Sequence, residues 1–131
     1  MKENINKEAE SNAYNELFFE ELVEKEILRA ERYGYKFVIV LFKYEDKKEL
    51  SEYMKKILRT TDNFGKFNSD TYAILAIQTD VQKALILADR VKELLHVHVG
   101  LSSYSMGDTL GIMYEKCESA IKSKKDIDLE L

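Results

Sequence analysis

The first clear periodicity starts at Tyr14. Leu17, Phe18, Leu22, Ile27 and Ala30 recur at near-helical spacing as far as Tyr33, and Gly34 follows as a residue suited to close a helix in the left-handed conformation. The period then changes. FVIVLF, Phe37 to Phe42, is β-branched and aromatic, is flanked by Lys36 and Lys43, and is too short for a helix of ordinary length, which predicts a strand buried on both faces. Leu50, Tyr53, Met54, Ile57 and Leu58 give a second helical stripe ending near Arg59. Two strand-like runs, Asn63 to Phe67 and Thr71 to Ile77, flank the turn formers Asn68-Ser69-Asp70 and read as a hairpin. A third helix, capped by Thr79 or Asp80, turns Val81, Ala84, Leu85, Ala88, Val91 and Leu95 inward. Val97, Val99 and Leu101 then alternate as a half-buried strand, and a last helix extends from about Asp108 to Ser123.

Helices alternating with single strands and one hairpin imply an α+β fold of the ferredoxin-like or palm type, a mostly antiparallel central sheet flanked by helices. At 131 residues this is one domain, expected over residues 14–126, with a polar, flexible tail at 1–13 and a short one at 127–131. The longest purely apolar run has only six residues, Phe37 to Phe42, and MKENINKEAESN lacks the apolar core of a signal peptide. A cytoplasmic protein without membrane insertion is expected. A net charge of -4 argues against binding a nucleic-acid polymer, because such binding draws on a surplus of Lys and Arg. Cys117, the one cysteine, excludes an internal disulfide and a multi-cysteine metal site, and reads as a core residue. His96 and His98 are expected on one strand face without a third metal ligand, so no metal and no cofactor is assigned.

Four stretches, in order, carry a likeness: ILRAERYG, LRTTDNFGKFNSDTYAIL, VHVGLSSYSMGD and ESAIKSKK. From about Tyr14 to Lys125 the chain resembles a GGDEF domain, the fold of diguanylate cyclases. In active members of that family an acid ending the first strand and acids in the signature turn hold two divalent cations against a nucleotide triphosphate. Lys43 stands at the first-strand position here, and Asn68-Ser69-Asp70-Thr71-Tyr72 replaces Gly-Gly-Asp-Glu-Phe, with Glu45 and Asp70 as the remaining acids. The segment from Lys43 to Arg59 is shorter than the family's and lacks the Asn and Asp that read the substrate guanine. Lys48 and Lys125 match triphosphate-binding lysines or are ordinary surface charges. The resemblance thus implies a degenerate member that is not an enzyme.

What is retained is Arg59-Thr60-Thr61-Asp62, placed before the turn as the family's RxxD inhibitory site is; that site binds cyclic di-GMP. An arginine fork suits guanine O6 and N7, and a carboxylate suits the N1 and N2 hydrogens. Arg90 resembles the second arginine of the same site. With four arginines and eight aspartates some Arg-x-x-Asp arises by chance about a quarter of the time, so its register carries more weight than its presence. A plain Arg59–Asp62 salt bridge at a helix end is the alternative. The expected function is a cyclic di-GMP receptor acting through Arg59, Asp62 and Arg90, with a ligand-promoted homodimer and a protein partner downstream. A protein-interaction scaffold that binds no nucleotide, and an enzyme of altered nucleotide chemistry, stand beside it.

Overall fold

The computed structural model describes residues 6–122. Its elements are α1 (Glu16–Tyr33), β1 (Phe37–Lys43), α2 (Lys47–Ile57), β2 (Asn63–Lys66), β3 (Thr71–Ile77), α3 (Val81–Leu95), β4 (Val99–Ser103) and α4 (Leu110–Lys122). This is the order predicted from periodicity. The four strands form one sheet, β2-β3-β1-β4, with every neighbouring pair antiparallel.

Strand β1 explains the layering. Its side chains alternate between two cores, and none of the six from Phe37 to Phe42 is exposed to solvent. Val38, Val40 and Phe42 pack with Leu50 and Met54 of α2 and Ala88 and Val91 of α3. Phe37, Ile39 and Leu41 pack with Phe19 and Val23 of α1 and Met113 and Cys117 of α4. At about 1.5 to 3 kcal/mol per large apolar side chain, this strand alone is a principal source of stability. Close approach fixes two glycines on either side of it. A Cβ on Gly65 would lie 2.0 Å from Phe19 Cδ1, and one on Gly100 would lie 2.1 Å from the backbone oxygen of Cys117.

The helix ends follow side-chain chemistry. Asn15 accepts from Phe18 N at 2.9 Å to open α1, which closes on Gly34 at φ 74°. Asp80, not Thr79, caps α3, accepting from Lys83 N at 3.0 Å. Helix α3 closes on His96 in the left-handed region, φ 56°, with its N–H bonded to Lys92 O. The expectation that His96 and His98 share a strand face therefore fails: the first belongs to a helix cap, and β4 begins only at Val99.

The polar run expected to be a tail is packed from residue 6 onward. Ser11 and Ala13 are fully buried. Tyr14 N donates to Phe64 O, and Lys66 N donates to Tyr14 O, both at 2.9 Å, so this segment lies along the outer edge of β2. Glu8 anchors it, accepting from Lys66 Nζ at 2.6 Å, Lys47 Nζ at 3.0 Å, Ser11 Oγ at 2.6 Å and Tyr72 OH at 3.2 Å. Burial opposes ionisation of Glu8, but the bonds from Lys66, Ser11 and Lys47 outweigh it and lower its carboxyl from 4.5 to about 2. The segment expected at 127–131 lies outside the described residues. Among the described residues no helix is long and apolar enough to cross a membrane.

Candidate functional site

Helix α2 ends at Ile57, and its C-cap Leu58 is extended, so the chain leaves the helix and must re-enter the sheet at Asn63. Arg59 and Asp62 stabilise that reversal. Asp62 N donates to Arg59 O at 3.1 Å, while Arg59 N donates to Asp62 Oδ2 at 2.9 Å. The guanidinium adds Nε bonds of 3.2 Å to both carboxylate oxygens and an Nη2 bond of 2.8 Å to Oδ1. Nη2 also donates to Thr79 Oγ1 at 2.8 Å, and that hydroxyl donates to Ile77 O at 2.7 Å. The hydrogen bonds with Asp62 raise the Arg59 pKa and keep it cationic at any working pH.

The two partners differ in exposure. The Asp62 side chain is 0% exposed and the Arg59 side chain 47%. They also face different hollows. Arg59 lines a cavity of about 190 Å³ with Arg90, Lys83, Thr79, Ile86 and Leu87, whereas Asp62 lines one of about 310 Å³ beside Ser11, Asn12 and Tyr14. Of the three residues predicted from sequence, the structure thus brings Arg59 and Arg90 to one cavity. It joins Asp62 to Arg59 as a buried counter-ion. Two further residues belong to this cavity. Thr79, read from sequence only as a possible helix cap, orients the guanidinium. Lys83 lies seven positions before Arg90 on the same face of α3, a spacing visible in the sequence once Arg90 is placed.

The other end of β1 forms a contrasting rim. Lys43 lies opposite Thr71 in the ladder, and with Glu45, Asp46 and Asp70 it lines an open hollow of about 440 Å³. Two of these three acids are already engaged. Asp46 caps α2 through Glu49 N at 3.0 Å, and Asp70 accepts from Thr71 Oγ1 at 3.1 Å. Among the described residues no group of three or more His, Cys, Asp or Glu is placed to hold a metal ion. Lys43 thus stands at this rim beside Glu45 and two acids that already have other partners.

No protein-family model matches the chain, and no curated protein matches it in sequence. Solved structures do match it in shape. The GGDEF domain of DgcB from Caulobacter crescentus, solved in complex with c-di-GMP, superposes with a TM-score of 0.84 at 8% identity, covering 98% of each chain. The diguanylate cyclase SiaD from Pseudomonas aeruginosa, in complex with its activator SiaC, gives 0.80 at 17% identity over 96% of this chain and 61% of that one. The FimX GGDEF domain, also from Pseudomonas aeruginosa, gives 0.79 at 9% identity over 97% and 100%. The four-stranded antiparallel sheet and its four helices are those of the GGDEF-domain fold.

Proposed function

We propose that this chain is a signalling module of the GGDEF type that makes no cyclic dinucleotide and instead binds cyclic di-GMP at the Arg59–Arg90 cavity. The observation that carries the reading is the convergence of two arginines, from the end of α2 and from α3, on one small hollow with an apolar wall. Guanidinium groups suit both parts of such a ligand, the O6/N7 edge of guanine and the phosphate oxygens. The rim at Lys43 supports the inactive half of the proposal, since two of its three acids, Asp46 and Asp70, cap a helix and bond a threonine.

Asp62 enters through exchange. Its carboxylate accepts from Arg59 Nε and Nη2, and the N1 and N2 hydrogens of guanine take the place of one of these donors as Arg59 turns toward O6 and N7. A stacked pair of dinucleotides needs more donors than one domain offers, so a ligand-promoted homodimer belongs to the proposal. The Arg59–Asp62 pair, with its carboxylate buried and its guanidinium half-exposed, favours a second reading, a scaffold in which these residues only shape the turn.

Calorimetric titration with cyclic di-GMP separates them. The receptor predicts saturable binding, weakened in Arg90→Ala and in Arg59→Lys, which keeps a cation beside Asp62 but loses the planar fork. A flat titration of the wild-type protein leaves the scaffold. Incubation with GTP and magnesium or manganese tests inactivity, and accumulation of product that Asp70→Asn abolishes would overturn it.

A further inference from the structure

Helix α1 has an inner face, Phe19, Val23 and Ala30, that is buried, and an outer face that nothing in the described chain covers. Glu20, Glu21, Glu24, Leu28 and Glu31 lie 3, 4, 7, 11 and 14 positions after Leu17 and form with it one exposed stripe. Leu17 is 68% exposed and Leu28 65%. Beside Leu28 the stripe opens into a cleft of about 400 Å³ against the loop between β4 and α4, floored by Ile27, Leu28 and Leu110 and rimmed by Glu24, Glu31 and Asp108. Met106, 77% exposed, precedes the Gly107 that closes its far side. Leu28 at the hollow and Met106 beside it leave large apolar surface in solvent, with Leu17 farther along the same stripe.

The electrostatics of the cleft have one sign. No Lys or Arg lines it, and none falls within the stripe. Lys25 and Arg29 lie to one side, Arg29 being paired with Glu26 at 3.4 Å, and Arg32 sits 6.0 Å from the centre of the Tyr33 ring. Asp108 is held by Lys116 at 3.6 Å, and Glu31 accepts from Tyr104 OH at 3.4 Å. Glu20, Glu21 and Glu24 make no hydrogen bond or ion pair among the described residues, and Glu20 lies near Tyr114.

We propose that this stripe and cleft dock a protein partner through a basic amphipathic helix, one whose apolar side chains enter beside Leu28 and Met106 and whose lysines or arginines meet the glutamates. Charge decides between occupants. A second copy laid on the same stripe would bring glutamates against glutamates, and an anionic lipid surface or nucleic acid would be repelled. The surface belongs to the α1/α4 layer, on the other side of the sheet from the Arg59 cavity, so the proposal stands apart from nucleotide binding.

The test uses a labelled Leu-Lys peptide designed as an amphipathic helix and a scrambled peptide of the same composition. Fluorescence anisotropy is expected to show saturable, salt-sensitive binding of the helical peptide, weaker by about tenfold or more for the scramble, for Leu28→Ser and for Glu24→Lys. Amide shift changes in an NMR titration should cluster on α1 and residues 104–110. Equal binding of the two peptides, indifference to both substitutions, or shifts centred on α2 and α3 would overturn the proposal. So would wild-type self-association in sedimentation that Leu28→Ser removes, which would make a second copy the occupant.

Discussion

The Arg59 cavity and the Lys43 rim are both built from polar residues flanking the central sheet, yet they are organised in opposite ways. At Arg59 a single cation is fixed by a buried carboxylate and a threonine, and one side of it remains open beside a second arginine. At the rim, three acids and a lysine stand around a wider hollow, and two of the acids serve neighbouring backbone or side chains. Preorganisation, more than charge count, distinguishes a surface able to select a ligand from one that is merely polar.

The sharpest way to break this contrast is to remove Arg59. Arg59→Ala strands a fully buried carboxylate, and urea unfolding should show a loss of about 2 to 4 kcal/mol. Asp62→Ala should cost less, by about 1 kcal/mol, because the half-exposed guanidinium can reach water. Equal losses, or the reverse order, would mean that Arg59 is not the compensating charge. Arg90→Ala comes next. It should weaken cyclic di-GMP by about tenfold, near 1.4 kcal/mol, while unfolding free energy stays within about 0.5 kcal/mol; unchanged affinity would remove α3 from the site.

Glu8 supplies a third and smaller comparison, a carboxylate organised by two lysines. Its carboxyl is lowered from 4.5 to about 2, so its contribution is complete above pH 4.5 and disappears as pH falls toward 2. Solvent screening limits this to about 1 kcal/mol. Stability measured across that window should be flatter in Glu8→Gln, and an identical acid profile would show the ion pairs to be inconsequential. The smallest effect is expected at the rim itself. Lys43→Asp should leave unfolding free energy within about 0.5 kcal/mol and yield no turnover of GTP, since Asp46 stays in its cap; product formation would show that one acid suffices to rebuild the centre.

The sequence was most readable where one element dictated its own burial. FVIVLF specified a central strand unaided, and the stripes of α2 and α3 largely named their inner faces, because hydrophobic periods are local; in α1 the stripe met the buried face only at Ala30, the core side being Phe19 and Val23 while Leu17 is exposed. Arg59, Asp62 and Arg90 were named from register, and the two arginines do line one cavity, but the burial of Asp62 behind Arg59 was not legible. Arg59 is held by Thr79, and Asp62 lines a hollow with Ser11, both remote in sequence. The same remoteness hid the docking of residues 6–13. Glu8 finds its partners at Lys47, Lys66 and Tyr72, and no window along the chain places these four together. His96 was misplaced for the complementary reason: a left-handed cap on a non-glycine residue leaves little trace in composition.

The strip of backbone at Tyr14 has a consequence for handling the protein. It occupies Phe64 O and Lys66 N, the groups through which β2 would otherwise recruit a foreign strand. Trimming the chain past this point would remove Ala13 from the core and uncover a template for fibril-like growth, and shelf life in concentrated solution would suffer.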